Sequence, residues 1–205
     1  FTATTDAAGT TTPLTTVGNG TTTQLVLNVA SAVRGSEFVL YRAKLAVAWA
    51  GDAPSGASSP NSTQLISKFT VTNAANAGGY AATVYAVNLS LSTTISNTAD
   101  RVLTLYKDSL STSSLGTTTF VTGTTIATVM GNTNFLDGNI TDVAISSGAS
   151  KTFYVTLDTT DSASTKTLSI RMGSADIGWT DGIAAAGGIT SMSQDLPLVW
   201  KTFTY

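Results

Sequence analysis

Apolar and polar side chains alternate along most of this chain. The pattern predicts an all-β fold: an antiparallel β-sandwich of about nine to ten strands, immunoglobulin-like or jelly-roll, with an extended N-terminal arm. Three observations lead there. Apolar residues recur at every second position in one run after another. No eleven-residue window keeps the roughly 3.6-residue apolar stripe of an amphipathic helix. Thr and Ser make up nearly a third of the 205 residues, whereas charged residues make up 11 %, against roughly 25 % in an average soluble protein. Branched Thr and Val lose side-chain freedom in a helix and favour strand.

Residues 1–22, FTATTDAAGTTTPLTTVGNGTT, form the arm. Its apolar anchors are Phe1, Leu14 and Val17, and Gly9, Pro13, Gly18 and Gly20 break any regular pattern. Residues 23–205 read as one sandwich domain. Leu25, Leu27 and Val29 alternate with Gln24 and Asn28. A long run then places Val39, Tyr41, Ala43, Leu45, Val47 and Trp49 on one face, with Arg42 and Lys44 on the other. Leu65, Phe69 and Val71 oppose Gln64, Lys68, Thr70 and Thr72. Tyr85, Val87, Leu89 and Leu91 oppose Asn88, Ser90 and Ser92. Leu103 and Leu105 follow, then Ile126 and Val129. Phe153, Val155 and Leu157 make the next run, then Leu168, Ile170 and Met172. The last stretch, 196–205, is expected to place Val199, Phe203 and Tyr205 together. Turn-rich segments separate these runs, and Asp137-Gly138 and Asp181-Gly182 suit tight turns. Half-polar strand faces exclude a parallel sheet buried on both sides.

The C-terminal third reads SKTFYVTLDTT (Ser150–Thr160), TLSIRMG (Thr167–Gly173), DIGWTDG (Asp176–Gly182) and a closing LPLVWKTFTY. Upstream lie YRAKLAV (Tyr41–Val47) and LISKFTVTNAANAGG (Leu65–Gly79). Together these motifs resemble β-sandwich domains in large surface proteins of uncultivated bacteria, over about residues 37–205. The resemblance implies an extracellular, non-catalytic module and brings no functional residues with it. The Thr-rich arm departs from that pattern and points to a small assembling subunit.

Composition narrows the chemistry. The chain has no Cys and no His. A disulfide scaffold, a thiol nucleophile and a Ser-His-Asp triad are therefore excluded. Net charge is −2 and the basic residues are scattered singly, so neither nucleic acid nor an anionic membrane surface is an expected partner. No apolar run approaches the roughly 18 residues of a membrane span. The chain begins at Phe1 rather than Met, and the expectation is an exported product after signal-peptide removal.

The remaining candidates are few. Asp158 with Asp161, and Asp176 with Asp181, are carboxylate pairs, but each flanks a turn, where Asp commonly binds backbone N–H groups. Asn132, Asn134, Asp137, Asn139 and Asp142 form an oxygen-rich loop, a weak candidate for Ca²⁺, which takes six to eight oxygen ligands. Glycosylation sequons fall at Asn19, Asn61, Asn88 and Asn139; Asn19 and Asn61, in expected loops, are the candidate acceptors. Trp49, Trp179 and Trp200 would form a sugar-stacking platform if exposed together, though buried Trp usually packs a core. The expected role is non-enzymatic and needs no cofactor. It is an extracellular structural protein that self-assembles into a pilus-like thread, tube or surface layer. The arm would donate a β-strand to a neighbouring subunit. The alternative is a cell-surface adhesin or carbohydrate-binding module with glycan partners.

Overall fold

The computed structural model describes residues 14–17, 24–27, 42–75, 79–95, 101–111, 113–120, 126–130, 143–181 and 196–205. The chain divides into two units, residues 1–40 and 41–205. In the first, β1 (Leu14–Val17) pairs antiparallel with β2 (Gln24–Leu27), with Leu14 opposite Leu27 and Val17 opposite Gln24. This pairing joins segments on either side of the compositional boundary at residue 22.

The second unit is all-β among the described residues, and its two mostly antiparallel sheets pack as a β-sandwich. The smaller sheet runs in the order β3 (Leu45–Trp49), β5 (Gln64–Asn73), β11 (Ser150–Leu157), β7 (Arg101–Lys107) and β8 (Gly116–Phe120). The larger sheet is built on β6 (Ala82–Thr93). One edge of β6 pairs with β12 (Thr167–Arg171) and then β13 (Ile177–Thr180). Its other edge pairs with β9 (Ile126–Met130) and then β10 (Val143–Ile145). Beyond β12 lie β14 (Lys201–Thr204) and the two-residue β4 (Gly56–Ala57), which pairs with β14 in parallel. The strand segments outnumber the nine or ten expected partly because both lines of partners along β6 are interrupted.

One core lies between the sheets. Leu45, Val47, Phe69, Val71, Leu103, Leu105, Phe153 and Val155 come from the smaller sheet. Val84, Val87, Leu89, Leu168, Ile170, Ile177, Trp179 and Phe203 come from the larger. Phe69 and Phe153 are cross-strand partners whose rings stack with centroids 5.2 Å apart. Complete burial of such a side chain contributes about 1.5–3 kcal/mol.

Several expected face assignments need correction, and the first has a clear cause in a bulge. In β5 the residue fully buried near the start is Ile66, not Leu65, because the register against β11 shifts there. A bulge adds one residue to one strand, so alternation changes phase across it. β6 shifts likewise: Gly178 pairs with Ala86 and Trp179 with Val84, leaving Tyr85 as the extra residue. A Cβ on Gly178 would lie 2.8 Å from the Ala86 Cβ and 2.9 Å from the Tyr85 ring, so glycine permits this close approach. In β9, Ala127 and Val129 face the core and Ile126 is 61 % exposed. Val199 does not join Phe203 inside: it is 73 % exposed and precedes β14.

Asn73 ties the sheets at one end of the sandwich. Its side chain is fully buried, and Nδ2 donates to the carbonyls of Tyr80 (2.9 Å) and Ile145 (3.0 Å). Its Oδ1 accepts from the N–H groups of Ala75 (3.3 Å) and Lys44 (3.4 Å). One amide thus satisfies backbone groups just after β5, just before β3, on the approach to β6 and at the end of β10. Substituting Asn73→Leu leaves these buried groups without partners and is expected to cost about 3 kcal/mol or more in urea unfolding. At the turn before β12, Thr165 has φ 74°, a strained conformation for a β-branched residue. Thr165→Gly is expected to raise stability by about 1 kcal/mol in the same assay.

Candidate functional site

The candidate site lies on the flank where the β3 edge approaches the segment leading into β14. β3 ends at Trp49, which is half-buried and packs its ring against the core. Its indole Nε1 donates to the Val199 carbonyl at 2.8 Å, bridging an edge of the smaller sheet to the larger. Leu198 is buried and its N–H donates to the Met172 carbonyl, holding the segment against the end of β12. Val199 and Trp200 are left outward, 73 % and 43 % exposed. The Arg171 guanidinium lies 4.8 Å from the Trp200 ring centroid, a cation–π contact across the sheet surface. Lys201 opens β14 opposite Ile170, so its side chain takes the other face of the sheet from Trp200.

The outward surface here is apolar with one cation, Arg171. Among the described residues neither Arg171 nor Lys201 has a carboxylate partner. The nearby turn after β3 is self-neutralised, since Asp52 accepts from Lys68 at 2.5 Å. That hydrogen bond holds the Asp52 carboxyl below its usual range and the Lys68 amine above its own.

The sequence candidates are dispersed. Trp179 is fully buried in the core, Trp49 is half-buried with its indole N–H on the Val199 carbonyl, and only Trp200 is exposed, so no platform of three indoles forms. Asp158 accepts from the Thr160 N–H (2.9 Å) and hydroxyl (2.7 Å), bonds that lower its pKa. Asp176 accepts from the Gly173 N–H (2.6 Å) and the Ser90 hydroxyl (3.2 Å). Asp181 accepts from the Arg42 N–H at 2.8 Å. These three carboxylates bind backbone donors at turns and strand ends, the role that turn chemistry gives Asp.

Asn61 is exposed; its Oδ1 accepts from the Thr63 N–H at 3.0 Å, and its backbone is bonded to Thr159. Asn88 sits within β6 between β9 and β13, where no loop presents it. Leu14 and Val17 end β1. Phe1, Asn19 and the proposed calcium ligands Asn132, Asn134, Asp137, Asn139 and Asp142 lie outside the described residues. The pairing of Arg171 with Trp200 was missed by sequence reasoning. The signal for it was only that both residues lie on outward-facing positions of what would be adjacent strands.

A second polar cluster closes the sandwich at the C-terminal end of β14. The buried Thr159 hydroxyl lies 2.7 Å from Gln64 Oε1, and Gln64 Nε2 donates to Ser58 at 2.6 Å. The Ser58 N–H in turn donates to the Thr204 carbonyl at 2.9 Å. Burial against this cluster pushes the Tyr205 hydroxyl above its ordinary 10.0. As pH rises past 10 the unfolded chain ionises first, so the folded state loses stability through that window. Tyr205→Phe is expected to flatten this alkaline fall, measured as urea midpoints at pH 9 and pH 11. A residual slope from Tyr85, raised by the same cause, is expected to persist. Comparison of the chain with protein-family models, curated proteins and solved structures found no match.

Proposed function

We propose that the protein is an extracellular structural subunit that self-assembles into a filament or surface layer. The N-terminal arm would add β-structure to a neighbouring sandwich. The observation that carries this reading is the flank at Val199 and Trp200. There two adjacent large apolar side chains are exposed beside a strand edge that β4 covers for only two residues. A strand edge with exposed apolar side chains is a template for pairing with another chain.

Three further features support it. The outward faces are Thr- and Ser-rich and carry little charge, so copies approach with little repulsion. β14 is already held between β12 and β4 within its own sheet, so it is a poor strand to donate to a neighbour. Head-to-tail exchange does not close on itself, so it yields polymers. The role uses no catalytic residue and no cofactor, and it places the protein outside the cell after export. Exposed Trp200 under Arg171 favours the second reading, a glycan-binding module, since an indole face beside a cationic donor suits sugar stacking.

Negative-stain microscopy of the full chain separates the two. Ordered polymers are expected, and deletion of residues 1–20 is expected to abolish them while leaving the thermal transition of the sandwich in place. A monodisperse monomer that binds glycans would establish the second reading instead.

A further inference from the structure

Resting on the glycan-binding reading, we propose that the ligand is an acidic polysaccharide seated on the outer face of the larger sheet at Trp200 and Arg171. The strand register assembles this seat from four elements. Ile126 of β9 lies opposite Ser90 of β6, and Ser90 lies opposite Arg171 of β12. Ile170 pairs with Lys201, so Arg171 falls opposite Trp200, just before β14. Directly opposite residues share a face, so these four form one transverse row about 15 Å long. Ile126 is 61 % exposed and Trp200 43 %. Two positions along the strands, Ser92, Ser169 and Thr202 form a neighbouring row of hydroxyls on the same face.

Arg171 sets the charge of the ligand. Its Nε is buried without a hydrogen-bond partner, and among the described residues its guanidinium meets the Trp200 ring and no carboxylate. Asp176, the carboxylate beside this row, is buried and accepts from the Gly173 N–H and the Ser90 hydroxyl. A guanidinium half-sunk in a sheet and stacked on an indole is held in one orientation, which prepares it for a carboxylate. The surroundings favour a sugar acid over an acidic peptide. Main-chain pairing is not on offer at the centre of the row, because Ser90 has strand partners on both sides. The face presents side chains instead: an indole that stacks on a sugar ring, and hydroxyls that both donate and accept.

Calorimetric titration of the full chain with oligogalacturonate and with its methyl ester tests this, since the two probes share a ring and differ in charge. The acid is expected to bind at least about tenfold more tightly than the ester. Trp200→Ala is expected to weaken both by about tenfold, and Arg171→Gln to bring the acid down to the affinity of the ester. Both variants are expected to keep the wild-type urea midpoint, which separates lost contact from lost folding. Equal affinity for the two probes, or undiminished binding by Trp200→Ala, would overturn this ligand or this seat while leaving the glycan-binding reading intact. Displacement of the acid by poly-aspartate at equal concentration would overturn it in favour of an acidic-peptide site. If neither these probes nor a panel of neutral glycans binds, the glycan-binding reading falls with the proposal.

Discussion

A twelve-residue strand in the middle of a sheet carries polar groups on both edges, and each must be hydrogen-bonded. β6 meets this requirement with four short partners rather than two long ones. On one edge the line breaks between β12 and β13, and Asp176 holds the break. Its carbonyl accepts from the Asn88 N–H at 2.7 Å while its carboxylate accepts from Gly173 and Ser90. On the other edge the line breaks between β9 and β10. The larger sheet is organised around this constraint, and the bulge at Tyr85 falls opposite the gap between β9 and β10. Asn73 then couples that sheet to the smaller one by bonding the Ile145 carbonyl at the end of β10.

Period-two reasoning works where a strand is regular, which explains how much of the fold was legible. Leu45 and Val47, Val87 and Leu89, Leu168 and Ile170 all face the core as the pattern requires. It fails at Leu65 because a bulge puts Ile66 inside, and at Val199 because the chain is not yet strand there. Bulges arise from pairing with a distant segment, so the local sequence carries little trace of them. The candidate site was illegible for a related reason. Trp49 and Val199 lie 150 positions apart, and only the topology brings an indole N–H to that carbonyl. Turn chemistry was easier to read. Asp158 binding Thr160 two positions on is a local event that the residue types announce.

Hydroxyl groups take the place that charge occupies in most surface sheets. Across the smaller sheet Thr72 meets Ser150 at 2.7 Å and Thr70 meets Thr152 at 3.5 Å. Across the larger, Ser169 meets Thr202 at 2.8 Å and Thr94 meets Thr167 at 3.3 Å. Each pair sits directly opposite or beside its partner, so the bond needs no long side chain to be ordered, unlike a Lys–Glu pair. The result is stiff, short-chained outer faces that cost little entropy to bury a second time.

Such faces carry little information about which partner to choose, since Thr and Ser offer the same donors and acceptors everywhere. Selectivity in any contact has to come from somewhere less uniform. The ion pairs Lys68–Asp52 and Lys151–Asp108 are satisfied locally and so direct nothing outward. The flank beside β14 differs: its exposed apolar side chains are large, and among the described residues its cations have no carboxylate partner and β4 pairs with two residues of β14. Desolvating Val199 and Trp200 favours contact, whereas burying Arg171 or Lys201 against an uncharged or basic segment is penalised. Discrimination between contacting surfaces therefore falls to that flank rather than to the uniform faces.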